Sequence, residues 1–222
     1  MKNLIMVLFL IPNLIYCNSI NEKDLAKDFD YIYKSFKKYN PEIDSLTVKN
    51  FTKVVNHYNL NKNRVDLEYL LGQILLESGA KHTYTNRYKG KFGKLVISNT
   101  GAIGFSQILG STGLDCMVRL LKIDDVNEFY KLGTTDFKFA YDETLTKSCK
   151  IKLTKKWLSN KDNNIIMWGF IMKYNLSKRK ILKALVGYNI GMGGLRKYLR
   201  DGNELSEHHY IVGIRRRLND IK

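Results

Sequence analysis

The chain has 222 residues, with 37 Lys and Arg against 21 Asp and Glu and a formal net charge of +16 at pH 7. That length suits one domain with a substantial core. No internal repeat, proline-rich linker or second composition regime is present, which argues against a repeat array or a string of modules. The charge would suit a polyanionic partner such as nucleic acid, an anionic membrane face or a cell-wall polymer. The basic residues are scattered, however, with only short clusters such as Lys178-Arg179-Lys180 and Arg215-Arg216-Arg217. Dispersed charge of this kind is the mark of a solvated surface.

Residues 1–19 read as a secretory signal. Lys2 is the positive region, Leu4 to Ile15 the apolar region, and Cys17-Asn18-Ser19 offers small residues for cleavage. The apolar run falls short of the ~20 residues that span a bilayer, and Pro12 and Asn13 interrupt it. Lipid anchoring at Cys17 is not expected, because Tyr16 stands where a small residue is needed. Residues 20–222 then form the domain, exported to the periplasm or cell envelope. Cys116 and Cys149 remain as either a disulfide or two thiols, since spacing gives no distance.

In chain order, Leu25, Phe29, Ile32, Phe36 and Tyr39 mark an amphipathic helix that Pro41 closes. Phe51, Val54, Val55 and Tyr58 mark a second helix, over about 48–58. Asn63 is placed to cap a third, whose Leu67, Leu70, Leu71, Ile74 and Leu75 recur at helical spacing on one face and which Gly79 ends. Residues 81–99 read as a basic, aromatic loop with a short strand at Leu95-Val96-Ile97. A helix from Ser111 or Thr112 to about Leu121 follows. Residues 124–156 have mixed periods, with a strand expected at Cys149 to Leu153. Helical patterning returns over 164–174, 180–190 and about 207–221. The fold class is mainly α.

Glu77 lies in the last turn of the third helix. A carboxylate there, half inside an apolar wall, is disfavoured as an anion by the helix dipole and by desolvation, so its pKa should rise. A carboxyl that keeps its proton at neutral pH can act as a general acid on a glycosidic bond. A capping-region Glu turned to solvent is the plainer reading of this stretch alone.

Three short signatures share the chain. Glu77-Ser78-Gly79 ends a helix, Gly101-Ala102-Ile103-Gly104-Phe105-Ser106-Gln107 is a glycine-gated turn presenting an amide, and Tyr188-Asn189-Ile190-Gly191 ends a second helix. In that order they resemble the lytic transglycosylases of the SLT-domain type, relatives of goose-type lysozyme. Asn164-Ile165 with Gly169, and Tyr210 on the last helix, add to the likeness. The resemblance spans about 63–214.

It implies a lysozyme-like helical domain whose groove binds peptidoglycan glycan strands and cleaves between N-acetylmuramic acid and N-acetylglucosamine. Glu77 would protonate the glycosidic oxygen, then accept the proton of the muramoyl 6-hydroxyl as a 1,6-anhydro ring closes. Ser78, Gln107, Tyr188 and Asn189 would bind substrate or steady the acid. The resemblance brings no cofactor, no metal and no nucleic-acid partner; a wall-spanning secretion or conjugation apparatus is a candidate partner. A hydrolytic muramidase and a non-catalytic basic wall-binding protein are the alternatives.

Ordinary glycosidases carry two carboxyl groups about 5–10 Å apart. Asp66 shares nearly the helical face of Glu77, but eleven residues at ~1.5 Å rise set it ~16 Å away, and Glu68 points to the opposite side. Asp115, Glu143 and Asp162 are the remaining acids that folding might bring close. Against the family pattern, Ser106 replaces an apolar residue, no proline follows Gly191, and about 123–157 reads as an atypical insertion.

Overall fold

The computed structural model describes residues 22–84 and 93–221. The signal-sequence expectation and part of the basic loop lie outside them. The described chain is mainly helical, running α1 (Glu22–Tyr39), α2 (Ser45–His57), α3 (Arg64–Ser78), α4 (Gly110–Arg119), α5 (Ile123–Leu132), α6 (Lys147–Leu158), α7 (Lys161–Leu176), α8 (Ile181–Arg200) and α9 (His209–Ile221). None of the described helices is long and apolar enough to cross a membrane.

Local chemistry explains the early helices. Asp44 caps α2, its carboxylate accepting the Thr47 N–H at 2.7 Å, and those bonds with nearby Lys161 bring its pKa down to about 2 despite opposing desolvation. Asn63 caps α3 by accepting the Asp66 N–H at 2.8 Å, and α3 ends on Gly79 in the left-handed region at φ 62°.

The apolar run of α3 is not a single face. Leu70, Leu71, Gly72, Gln73, Ile74 and Leu75 are all buried, so α3 is a central helix surrounded by others. Helix α7 is buried in the same way from Asn163 to Met172. Its Trp168 stacks on Phe51 of α2 with centroids 4.8 Å apart. Helices α2 and α7 meet closely because position 169 is glycine. A Cβ there would stand 2.2 Å from Val54 Cγ1.

Glycines also set the pairing of α3 with α9. A Cβ on Gly72 would lie 2.8 Å from Ile214 Cγ2 and 3.1 Å from the Ile214 carbonyl oxygen, and one on Gly213 would lie 3.0 Å from Leu76. The antiparallel register thus opposes residues 72 and 214, 76 and 213, and 77 and 210.

Two expectations change. The strand at Cys149 to Leu153 is part of helix α6, which Thr146 caps. β-branched and apolar residues there favoured a strand, but Thr154, Trp157 and Leu158 are buried against the domain, and tertiary burial overrides a weak local preference. Leu95-Val96-Ile97 forms only isolated bridges, Thr83 with Leu95 and Ile97 with Ile103. Phe129, Phe137, Ala140 and Trp157, from the stretch 123–157, lie in the core. Phe129 packs edge-on to Phe170 at 5.4 Å, and Phe137 does so with Trp157 at 5.7 Å. Cys116 is buried, Cys149 is exposed, and both are free thiols.

Candidate active site

The Gly101–Ile108 turn is built from its backbone outward. Ile103 and Ile108 exchange both hydrogen bonds, at 3.0 and 3.2 Å, closing a narrow hairpin. From Ile103 to Ser106 every backbone donor and acceptor has a partner. Gly104 N–H donates to Val96 at 2.7 Å, and its carbonyl accepts from Gln107 N–H at 3.3 Å. Phe105 N–H donates to His82 Nδ1 at 3.2 Å, and its carbonyl accepts from Ser78 Oγ at 2.6 Å. Ser106 N–H donates to Asn164 Oδ1 at 3.0 Å, and its carbonyl accepts from Tyr188 at 2.7 Å. Asn164 Nδ2 supplies the Ile103 carbonyl at 2.9 Å. Buried backbone demands such pairing, and here side chains from three distant helices and the 81–84 segment provide it.

Phe105 drives the turn inward. Its ring is fully buried, edge-on to Phe36 at 5.7 Å. Gly104 is needed beside it, because φ is 72° and a Cβ would stand 2.5 Å from the His82 ring. His82 Nε2 lies 2.8 Å from the Ser159 carbonyl. A carbonyl only accepts, so Nε2 carries the hydrogen and Nδ1 is the free acceptor for Phe105. Burial lowers the His82 pKa and keeps the ring neutral.

Against this turn lies a cavity of about 610 Å³ whose lining includes Glu77, Gln107, Cys116, Tyr174, Tyr188 and Asn189. Glu77 is half-buried. Desolvation raises its pKa from 4.5 to about 7, against the lowering effect of the hydrogen bond that Tyr210 donates to Oε1. Among the described residues it is the only carboxylate lining the cavity. Asp162 instead bonds Asn50, Asp115 is an exposed partner of Arg119, and Glu143 is exposed.

The remaining expected residues divide. Tyr188 and Asn189 share the cavity wall with Glu77. The Tyr188 hydroxyl is occupied by Ser106, and burial with the nearby Glu77 charge keeps it protonated. Asn189 is exposed. Gln107 also lines the cavity, but its amide nitrogen donates to Gly104 at 2.7 Å and Val96 at 3.3 Å. Those bonds support its own left-handed φ of 51°. Ser78 is a brace behind Glu77, joining α3 to the turn through Phe105. Ser106 is fully buried and bonds Asn164 Oδ1 at 2.7 Å; a hydroxyl replaces apolar packing there because Asn164 accepts it.

Tyr210, an accessory match in the sequence, is the side chain that hydrogen-bonds Glu77. Gly213 brings it there by letting α9 lie close on Leu76 of α3. His82 and Gln73 carry no local signature. Among the described residues no cluster of three or more His, Cys, Asp or Glu is arranged to hold a metal ion. No family model, curated protein or solved structure matches this chain.

Proposed function

We propose that this chain is an exported peptidoglycan lytic transglycosylase on a lysozyme-like helical scaffold, with Glu77 as its only catalytic carboxylate. One observation carries the reading: a single carboxyl, with a pKa raised to about 7, faces a cavity lined by both other sequence signatures. A group titrating near neutral pH can give and take a proton in one cycle.

In this mechanism Glu77 gives its proton to the oxygen leaving N-acetylmuramic acid as the bond from C1 breaks. The muramoyl 6-oxygen then bonds to C1, and its proton returns to Glu77. No water is consumed, so no second carboxylate is required to activate one. Tyr210 steadies the anion between the two transfers through its hydrogen bond. In this reading Tyr188, fixed by Ser106, and exposed Asn189 hold the sugar's N-acetyl group from the cavity wall that they line.

The test is mass spectrometry of muropeptides released from purified sacculi by wild type and Glu77→Gln. Anhydro-muramoyl ends from wild type, and a loss of at least ~10²-fold in the variant, are expected. Reducing ends would replace this reading by hydrolysis. Equal release by both proteins would remove Glu77 from catalysis.

A further inference from the structure

Apart from Glu77 the cavity lining is uncharged: among the described residues it includes no Lys, Arg or His. Such a wall suits N-acetylated sugars, which carry no charge. A peptidoglycan strand is nevertheless anionic, because its muramoyl groups bear short peptides whose carboxylates ionise at neutral pH. Those peptides branch from the sugar chain and must pass the edge of the cavity.

Helix α6 stands at that edge. Five of its 12 residues are lysine and none is acidic. Lys147, Lys152, Lys155 and Lys156 are exposed, and none of them forms an ion pair with a described residue. Lys150 lies in the field of Asp142. Other lysines do meet acids, Lys161 with Asp44 at 3.0 Å and Lys173 with Asp125 at 3.2 Å.

Glycines seat α6 on α4. A Cβ on Gly110 would stand 2.5 Å from Lys155 Cγ and 3.1 Å from the Ile151 carbonyl oxygen, and one on Gly113 would stand 3.0 Å from Thr154 Cγ2. The methylene stem of Lys155 therefore runs along Gly110 while its ammonium stays in water. Its Nζ ends 3.7 Å from the place of a Cβ on Gly101. Thr100, Ala102 and Leu109, which flank these two glycines, line the cavity.

We infer that α6 is a peptide-recognition face: Lys155 at the cavity edge, with Lys147, Lys152 and Lys156, takes the carboxylates of the peptides carried by the glycan strand. Lys147 lies two turns before Lys155 on nearly the same face, ~12 Å away, which about four extended peptide residues span. Exposed charge contacts are weak singly, so the four lysines act on affinity as a group. The inference rests on the proposed glycan substrate, but binding reads it without turnover.

The test is co-sedimentation of Glu77→Gln with purified sacculi, either untreated or with their carboxylates converted to amides by carbodiimide and ammonia. The same measurement is made after adding Lys147→Gln, Lys152→Gln, Lys155→Gln and Lys156→Gln together. Glu77→Gln alone should bind untreated sacculi about tenfold more tightly than amidated ones at low salt. The four substitutions should abolish that preference, and so should high salt. Lys155→Gln by itself should reduce it about twofold.

Equal affinity of Glu77→Gln for the two kinds of sacculi overturns the proposal. So does a preference that survives the four substitutions. A single-stranded oligonucleotide serves as the comparison polyanion. If the substitutions abolish its binding and leave binding to sacculi intact, the face serves nucleic acid and the proposal falls. If the fourfold variant does not fold, Lys155→Gln decides by the same readouts. A wild type that cleaves no glycan would overturn the proposed function, and co-sedimentation would still judge whether α6 holds the carboxylates.

Discussion

The two walls of the cavity are held by different means. The wall formed by residues 103–108 has its backbone bonded at every position from Ile103 to Ser106, by Ser78, His82, Val96, Ile108, Gln107, Asn164 and Tyr188. The wall formed by α8 beyond Tyr188 comprises exposed Asn189, Ile190, Met192 and a break at Gly191, where φ 72° and ψ 166° interrupt the helix. The first wall is fixed by buried polar bonds and must form for the domain to fold. The second is shaped by one backbone conformation and carries exposed Asn189 in the cavity lining. Changes in the first wall should cost stability, whereas changes at Asn189 should cost activity.

The largest effect should come from Asn164→Ala. It leaves the buried Ser106 N–H without a partner, takes the side-chain acceptor from the Ser106 hydroxyl and removes one of the two donors to the Ile103 carbonyl, and a loss of about 3 kcal/mol in urea unfolding is expected. A loss below about 1 kcal/mol would mean that the turn is not held as described.

Glu77 lines the same cavity, and its stability effect depends on pH. Its carboxyl titrates near 4.5 when exposed and near about 7 in the fold, so the folded state retains the proton longer. Wild-type stability should be undiminished below pH 4.5, fall as pH rises toward 7, and level off above that. Glu77→Gln has no such proton to lose. At pH 8 it should exceed wild type by roughly 1–3 kcal/mol, and at pH 4 by almost nothing. Parallel thermal melts at the two pH values check this, and a constant difference would contradict it.

Gly191→Ala tests whether the α8 wall depends on backbone alone. No atom lies within 4 Å of a Cβ at that position, so the cost is conformational, about 1–2 kcal/mol. The smallest stability change belongs to Asn189→Ala. It should stay within about 0.5 kcal/mol of wild type while glycan release falls about tenfold. Unchanged release would remove Asn189 from the substrate face.

Much of the helical order was legible because its signals are local. Asp44, Asn63 and Gly79 mark helix ends through bonds and dihedrals that reach no more than four residues. Residues 149–153 form helix and not the expected strand because Ile151 and Leu153 suit either state until the burial of Thr154, Trp157 and Leu158 decides. The site was partly legible. Glu77, Gln107, Tyr188 and Asn189 share one cavity, whereas Ser78 bonds the turn behind it and the Gln107 amide nitrogen is held by the turn. Nothing near His82 in sequence indicates that its ring receives the Phe105 N–H.

By itself, the sequence determined where Glu77 sits: in the last turn of a capped apolar helix that must stop at Gly79. Steric and hydrogen-bonding effects within one helical turn are enough for that. Tertiary structure alone decided the chemistry of that carboxyl. Tyr210, 133 residues away, reaches it because glycines let α9 approach α3, and no other described carboxylate enters the cavity. The pKa depends on how much water the surrounding chain removes and on which donor it supplies, and those are properties of neighbours distant in sequence.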